Sequence, residues 1–316
     1  MTKATLRILS ADSAGLADAA SVLQRGGLVS FPTETVYGLG ADACNDNAVA
    51  RIYAAKGRPS FNPLIVHVPN MQVAEKYVIF NDAAIRLAAA FWPGALTLVL
   101  PLRPDAEIAA HVTAGLDTLA IRIPDHPVAQ GLLQAFDGPV AAPSANPSGR
   151  VSPTTAAHVV QGLGAEIDAV VDGGACAVGL ESTIVACTEP PTLLRAGGIP
   201  QEIIEQCLGY PLARATHTET PTAPGQLASH YAPRGTLRLN ASSAHEDETL
   251  LGFGPVEADI NLSPSGDLTE AAARLFECLH QLDAMGARAI AVSPIPESGL
   301  GRAINDRLRR AAAPRP

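Results

Sequence analysis

A short basic segment is the clearest candidate for binding an anionic ligand. In KGRP at 56–59, Lys56 and Arg58 lie two residues apart, with a glycine between them and a proline after. Such a stiff loop can bind phosphates, the lysine as a point charge and the arginine as a planar fork. A solvated helix end, where cations interact favourably with the helix dipole, is the alternative interpretation. His67 follows on an aliphatic strand, where it is either a core histidine or a ligand-binding one.

Hydroxyls and an arginine lie near other predicted strands. FPTETVYGLG at 31–40 follows a strand, and strand ends are where ligands bind in open α/β sheets. In it Thr33 and Thr35 straddle Glu34, although an ordinary turn with hydroxyl–backbone bonds explains the pattern equally. Arg122 interrupts an apolar strand. A buried arginine needs an anionic partner, which is either a structural carboxylate or a bound anion.

Further polar segments could supply hydrogen-bond donors. PSANPSGRVS at 143–152 packs short polar side chains between prolines, which suits a phosphate or oxyanion nest, a serine nucleophile or a plain turn. GLESTIV at 179–185 has a Ser–Thr pair at a strand start, and Arg195 ends a later strand. SHYAPR at 229–234 combines an aromatic residue and a cation, and could cover a site or anchor a domain boundary.

Standard nucleotide and hydrolase signatures are missing from the sequence. There is no GxxxxGK[ST] loop, no complete dinucleotide fingerprint, no GxSxG elbow and no HExxH. The five cysteines contain no CxxC pair, so they predict neither a disulfide framework nor a zinc site.

Length and composition predict a folded α/β protein of two domains. The 316 residues are 47% hydrophobic and 17% charged, which is enough apolar surface to bury a sizeable core. No apolar run approaches the roughly 20 residues that span a bilayer, and the first seven residues lack a secretory stretch, so we expect a cytoplasmic protein without membrane contact. The net charge of −9 disfavours bulk nucleic-acid binding but allows one local basic pocket.

Alternating helix-like and strand-like patterns predict a large mixed sheet, followed by a smaller α/β unit. We expect a catalytic domain over 1–205, a linker or lid over 206–234, and a small C-terminal domain over 235–316. Predicted helices cover 12–26, 45–55, 82–92, 268–285 and 300–312. Predicted strands cover 28–31, 64–68, 96–100, 119–123, 139–142, 169–172, 182–186, 192–195, 236–239, 251–253 and 289–292.

Taken in order, these segments resemble the YrdC-like family. The resemblance is carried by FPTETVYGLGADA, KGRP with NPLIVHV, FWPGALTLVL, RIPDHP, PSANPSG, VGLESTIV and LLRAGGI. The HYAP segment and GLGRAINDRLRRAA near the end resemble the longer, two-domain threonylcarbamoyl-AMP synthases of that family. The resemblance implies a twisted mixed sheet with a positively charged cavity, followed by a small Rossmann-like domain.

The resemblance also implies a reaction. L-Threonine, bicarbonate or CO2, and ATP would give threonylcarbamoyl-adenylate and pyrophosphate. A separate transferase complex would then move the threonylcarbamoyl group to tRNA beside the anticodon, and weak tRNA contact is expected. Mg²⁺ would be held mainly by the ATP phosphates, because the sequence shows no carboxylate cluster for an all-protein metal cage.

Residue roles follow from the same motif matches. Lys56 and Arg58 would stabilise charge on the reacting phosphates. The threonine pocket would contain Thr35, His67, Arg122, Ala142 and Ser182. The ATP side would contain Lys56, Arg58, Asn62, Thr118, Ser144, Asn146, Ser152, Arg195, Tyr231 and Arg234.

Two other function classes compete with this one. An RNA-binding or ribosome-associated factor is the main alternative, and the acidic balance weighs against it. A carbamoyl-handling relative of the hydrogenase-maturation type would carry acylphosphatase and zinc-finger modules, which this sequence lacks.

Overall fold

The structure, a computed structural model, describes residues 6–214 and 229–314. The Thr-, Ala- and Pro-rich part of the expected linker, at 215–228, therefore lies outside the described residues. The described helices are α1 (Ser13–Gln24), α2 (Asp46–Lys56), α3 (Met71–Ala74), α4 (Asp82–Phe91), α5 (Ala110–Thr113), α6 (Pro127–Phe136), α7 (Ala156–Leu163), α8 (Gln201–Leu208), α9 (Leu268–Ala284) and α10 (Leu300–Ala312).

The strands form two separate sheets. Those of the first are β1 (Arg7–Ser10), β2 (Val29–Phe31), β3 (Gly38–Asp42), β4 (Ile65–His67), β5 (Leu96–Pro101), β6 (Thr118–Arg122), β7 (Val140–Ala141), β8 (Ala169–Asp172), β9 (Thr183–Ala186), β10 (Thr192–Arg195) and β11 (Ala213–Arg214). Those of the second are β12 (Thr236–Arg238), β13 (Thr249–Gly252), β14 (Ile260–Asn261) and β15 (Ala289–Val292).

The first sheet is mixed and carries the motif segments. Its spatial order is β1-β8-β2-β3-β7-β4-β6-β5-β9-β10-β11. Parallel β4 and β6 place His67 opposite Arg122, and β5 runs parallel to β9, which begins next to Ser182. The prediction of a large mixed sheet is confirmed. The first sheet extends to β11, beyond residue 205, because β11 pairs with β10.

A hairpin forms where the sequence suggested a strand followed by a loop. Strands β2 and β3 pair antiparallel, with Phe31 opposite Gly38, so residues 32–37 form the loop that joins them. A Cβ on Gly40 would lie 2.8 Å from Cε1 of Phe31, and glycine avoids this clash. The GLG part of the motif is thus strand β3, and the TETV part is the loop that faces the site.

Helix α2 delivers the basic segment to the same region. Asn45 caps its first turn by accepting from the backbone of Ala48, and Gly57 ends it in the left-handed conformation at φ 57°. Lys56 is therefore the last residue of the helix, and Arg58 follows the capping glycine.

The second sheet is small, parallel and covered by long helices. Its order is β12-β15-β13-β14, and α9 and α10 pack together against it. Asp267 caps α9 by accepting from two backbone N–H groups of its first turn. This arrangement confirms the prediction of a second, smaller α/β unit.

The core of the C-terminal unit continues into the first domain. Val36, Val151 and Leu180 pack in one apolar cluster with Tyr231 and with α9 side chains such as Phe276. The two sheets are thus joined by buried apolar contact on the side of the motif loops. In the described parts of the chain, no helix is long and apolar enough to cross a membrane.

Gly197 lies where no side chain fits. A Cβ there would come within 2.4 Å of the Glu181 carbonyl oxygen and 2.5 Å of the Ser182 backbone. We expect Gly197→Ala to lower the free energy of unfolding by about 1–3 kcal/mol, as overpacking does, in a urea titration. Gly162→Ala, in helix α7, is the control and should stay within about 1 kcal/mol of wild type. Equal stability of Gly197→Ala and wild type would contradict the close packing.

Candidate active site

One cavity brings together segments that are far apart in the sequence. It lies beside the β2–β3 loop, the end of β4, the loop after β7, the start of β9 and the HYAP segment. Its lining is Thr33, Thr35, Val36, Gly38, Arg58, Ile65, His67, Arg122, Ala142, Pro143, Ser144, Glu181, Ser182, Arg195, His230 and Tyr231.

Arg122, at the end of β6, is buried and bound by a carboxylate. Its Nη2 donates to Oε1 of Glu34 at 2.5 Å, and its Nη1 donates to Oγ1 of Thr35 at 2.9 Å. Its Nε donates to the carbonyl of Gly94 at 3.1 Å. The sequence analysis allowed either a structural carboxylate or a bound anion as the partner of Arg122. The structure shows a structural carboxylate, that of Glu34.

The β2–β3 loop is stiffened by its own hydroxyls. Oγ1 of Thr33 donates to the carbonyl of Val36 at 2.7 Å and lies within reach of the Thr35 and Val36 N–H groups. The Oγ1 atoms of Thr33 and Thr35 are 2.7 Å apart. This turn presents Thr35 to Arg122, so the TET segment is both a hydroxyl-stabilised turn and part of the cavity wall.

His67 is buried and stays neutral. Desolvation, followed by the nearby Arg122 cation, lowers the pKa of His67 to about 3. Its ring lies edge-on to Phe31, at 6.4 Å between centroids. Its Nδ1 is buried and has no hydrogen-bond partner in the described residues. A neutral imidazole with a vacant nitrogen beside a cavity can bind a ligand without adding charge.

Arg195 and Ser182 form a second buried pair at the cavity. The arginine donates to the Ser182 carbonyl from Nε at 3.1 Å and from Nη2 at 2.9 Å, and to the Ser182 hydroxyl at 3.1 Å. That hydroxyl is also 2.7 Å from Oγ1 of Thr97. Desolvation lowers the pKa of Arg195, since its guanidinium is buried against neutral carbonyl and hydroxyl groups.

The two cations of the basic segment have different positions: Arg58 lines the cavity, and Lys56 binds a neighbouring loop. Arg58 lines the cavity and donates to the carbonyls of Asn62 at 3.1 Å and Pro63 at 2.8 Å. Lys56 is buried, and its Nζ donates to the carbonyls of Ser144 and Asn146, each at 2.5 Å. Desolvation lowers the pKa of both, to about 10 for Arg58. Lys56 thus fixes the loop that carries Ser144 into the cavity.

The HYAP segment closes one side of the cavity. His230 and Tyr231 are buried there with ring centroids 4.0 Å apart. The backbone N–H of Ala232 donates to Gly149 at 2.8 Å, and that of His230 donates to Arg310 on α10 at 3.2 Å. Desolvation and the surrounding cations hold the pKa of His230 well below its usual value, so it adds no charge to the cavity.

Several predicted site residues lie beside the cavity rather than in its lining. Asn62 and Asn146 are buried, and both carry side-chain atoms without a partner in the described residues. Ser152 is buried and donates to Glu181 at 2.6 Å. Thr118 begins β6, about 13 Å along the strand from Arg122. Arg234 lines a separate groove with His280 and Asp283.

Four residues at this site were not among the candidates for ligand binding. Glu34 and Glu181 are carboxylates bound to buried arginines, His230 lines the cavity, and Arg307 on α10 binds Glu181 at 3.0 Å. The sequence could have identified Glu34 as a site residue, because it lies between two hydroxyl side chains in a predicted site loop. The sequence does not single out Arg307, since the segment GLGRAINDRLRRAA contains four arginines and nothing in it distinguishes this one.

The carboxylates at the cavity are already engaged by arginines. The described residues contain no group of three or more His, Cys, Asp or Glu side chains that could hold a metal ion. Lys56, Arg58 and Arg195 donate to uncharged carbonyl oxygens of the described residues. The cavity is therefore electropositive in a chain of net charge −9, which suits an anionic ligand.

The chain is similar to known proteins along nearly its whole length. It matches the profile of the family described as Telomere recombination over residues 21–197, and that of the threonylcarbamoyl-AMP synthase C-terminal domain over residues 199–313. It is 41% identical to the threonylcarbamoyl-AMP synthase of Bacillus subtilis over 97% of this chain and 95% of that protein. It is also 41% identical to the one of Pyrococcus abyssi, over 93% of each.

A solved structure shares the fold of both units. The crystal structure of Pyrococcus abyssi Sua5 complexed with L-threonine superimposes with a TM-score of 0.89, at 36% identity and 97% coverage of each chain. L-Threonine is thus a ligand of that protein.

The buried histidine predicts how stability depends on pH. The folded state keeps His67 neutral down to about pH 3, whereas an unfolded histidine takes up a proton below about pH 6.5. The unfolded state then binds more protons, so stability falls as pH falls from about 6.5, by up to about 1.4 kcal/mol per pH unit. We expect His67→Asn to flatten this slope in urea titrations between pH 4 and 7, and exposed His245→Asn to keep it. Equal slopes for wild type and His67→Asn would contradict the burial of a neutral imidazole.

Proposed function

The chain belongs to the threonylcarbamoyl-AMP synthase family, and we propose that it condenses L-threonine, bicarbonate or CO2, and ATP into L-threonylcarbamoyl-adenylate with release of pyrophosphate. This makes it a nucleotidyltransferase of tRNA modification. The observation that carries the proposal is the single cavity, in which arginines and hydroxyls from the separate motif segments meet. An RNA-binding factor without nucleotide transfer has no support from the relatives, which are named as synthases.

Threonine is proposed to bind at the Arg122 end of the cavity, among Thr35, His67, Ala142 and Ser182. An arginine has five N–H groups, and three of those of Arg122 are used by the described residues. The remaining two suit the threonine carboxylate. The vacant Nδ1 of His67 offers a hydrogen bond to a polar substrate group without adding charge.

ATP is proposed to bind on the other side of the cavity, where Lys56, Arg58 and Arg195 donate to carbonyl and hydroxyl oxygens. Arg58, Ser144, Arg195 and Tyr231 supply cavity-lining groups for the nucleotide. Lys56 contributes there by holding the Ser144 loop. The roles of Asn62, Thr118, Asn146, Ser152 and Arg234 in ATP binding stay predictions, since these residues lie outside the lining.

The reaction follows from bringing the two sides together. The ammonium group of threonine loses a proton to water, and the resulting amine adds to CO2 and releases a second proton to give a carbamate. An oxygen of the carbamate attacks the α-phosphorus of ATP. A new P–O bond forms, the bond to the β-phosphate oxygen breaks, and pyrophosphate leaves with the electron pair. Negative charge grows on phosphate oxygens, so Arg58 and Arg195 would stabilise the transition state by position and charge. Enclosure by HYAP would keep water from the carbamate and the adenylate, which both hydrolyse.

Mg²⁺ is proposed to enter with ATP rather than to occupy a protein cage. The nearby carboxylates Glu34 and Glu181 are each held by an arginine, which leaves them poorly suited as metal ligands. Mg²⁺ prefers to keep several waters and to bind through phosphates, and there it would neutralise part of their charge.

The product is proposed to pass to a separate tRNA threonylcarbamoyl-transferase complex in the cytoplasm. The mixed anhydride between carbamate and phosphate is reactive, so the acceptor must be supplied soon after release. The acidic surface predicts weak tRNA contact at most, because phosphate contacts dominate nucleic-acid affinity.

Substrate dependence tests the proposal directly. We expect pyrophosphate release from ATP only when L-threonine and bicarbonate are both present, with an adenylate as the second product. L-Serine is the matched control, since it lacks one methyl group, and it should react more slowly by about tenfold or more. Pyrophosphate release at the same rate with and without L-threonine would overturn the proposal. RNA binding would then be the favoured function.

Variants of the basic segment test the phosphate assignment. Arg58→Ala and Lys56→Ala should each lower turnover at least tenfold, the first through lost phosphate contact and the second through a loosened Ser144 loop. Lys76→Ala removes an exposed lysine and should match wild type. Steady-state pyrophosphate release gives the measurement, and circular dichroism checks the fold. Wild-type turnover in Arg58→Ala would refute its role.

A further inference from the structure

Arg307 is a buried cation that the C-terminal unit inserts against the cavity wall. It lies on α10, and its side chain is fully buried. Its Nε donates to Oε2 of Glu181 at 3.0 Å, and its Nη1 donates to the carbonyl of Ala196 at 2.6 Å and to Asp306 at 3.0 Å. Two of these partners, Glu181 and Ala196, belong to the first domain.

The same guanidinium lies against Tyr231. Its central carbon is 5.2 Å from the centroid of the tyrosine ring, which is cation–π distance. Its Nη2 is buried without a hydrogen-bond partner in the described residues, so the ring face supplies contact where an acceptor is missing. Phe276 on α9 also packs on Tyr231, with ring centroids 5.6 Å apart and an angle of 29° between the ring planes.

Tyr231 needs such support, because its backbone is strained. Its φ of 63° lies in the left-handed region, which a residue other than glycine adopts only when its surroundings hold it there. The side chain is buried and lines the cavity. Arg307 and Phe276, both from the C-terminal unit, thus fix the aromatic ring that closes the nucleotide side.

Glu181 would oppose an anionic ligand if it were left uncompensated. It lines the cavity between Arg195 and Tyr231, and it is buried. One oxygen accepts from Ser152 at 2.6 Å, and the other is held by Arg307. Removal of Arg307 would take away the ion-pair partner of Glu181, and the carboxylate beside the place proposed for the phosphates would then repel them more strongly.

We propose that Arg307 is a positioning residue for the nucleotide, which acts from the C-terminal unit by neutralising Glu181 and by fixing the Tyr231 ring at the cavity. This inference rests on the proposed function for the identity of the nucleotide. It gives the C-terminal unit a defined part in ATP binding and none in threonine binding, because Arg307 contacts neither Arg122 nor His67 in the structure.

Equilibrium binding of Mg·ATP to the full chain tests the proposal, with KM values for ATP and L-threonine measured alongside. Arg307→Met keeps length and removes charge, and we expect the Kd and KM for ATP to rise at least tenfold, with the threonine KM within threefold of wild type. Arg307→Lys should recover part of the ATP affinity. Arg309→Met is the control, since Arg309 is exposed on the same helix and pairs with Glu297 at 2.6 Å, and it should match wild type.

The double variant Glu181→Gln/Arg307→Met distinguishes the loss of charge compensation from a general loss of structure around the cavity. With the carboxylate removed, it should bind ATP more tightly than Arg307→Met. If Arg307→Met does not fold, Arg307→Lys carries the test: a raised Kd for ATP with an unchanged threonine KM supports the proposal, and wild-type ATP affinity overturns it. Wild-type ATP affinity in folded Arg307→Met, equal losses for ATP and threonine, or no recovery in the double variant would each overturn the proposal. A wild-type chain that binds ATP but releases no threonine-dependent pyrophosphate would refute the proposed function and leave the binding test of Arg307 valid.

Discussion

Buried positive charge around one cavity is the constraint on which the rest of this structure depends. A guanidinium or ammonium removed from water is costly unless polar groups surround it, and the chain meets this need in two ways. Arg122 and Arg307 are bound by carboxylates, Glu34 and Glu181. Arg195, like Lys56 and Arg58, is bound by neutral carbonyl oxygens instead. The second arrangement provides hydrogen-bond acceptors for buried N–H groups without adding negative charge through those acceptors.

This division of partners matches the charges of the two proposed substrates. Threonine is a zwitterion with one carboxylate, and its proposed site has Arg122 already balanced by Glu34 and His67 kept neutral. ATP carries several negative charges, and its proposed site contains Arg58 and Arg195, which donate to carbonyl oxygens. The charge of each part of the cavity thus depends on whether its cations bind carboxylate or carbonyl oxygens. It does not depend on the number of basic residues in the chain.

The sequence predicted the elements better than the contacts between them. Strongly patterned segments such as α9 and β10 were located to within a residue or two, because local capping and apolar periodicity determine them. Strand β3 was missed, since glycine disfavours strands and the need for Gly40 arises from the close approach of Phe31 and Val140, which are distant in the sequence. The cavity arginines were identified from their unusual local sequence context. The ion pair of Arg307 with Glu181 joins residues 126 positions apart, so no local sequence pattern predicts it.

The same pairing shows why the two units cannot be understood separately. The ring of Tyr231 is contacted by both Phe276 and Arg307. Apolar residues of the first domain, Val36 and Leu180, belong to the core of the C-terminal unit. A first domain alone would expose this apolar surface to water and leave Glu181 without its cation. The C-terminal unit therefore completes both the hydrophobic and the electrostatic surroundings of the nucleotide side, while the Arg122 side is built from the first domain alone.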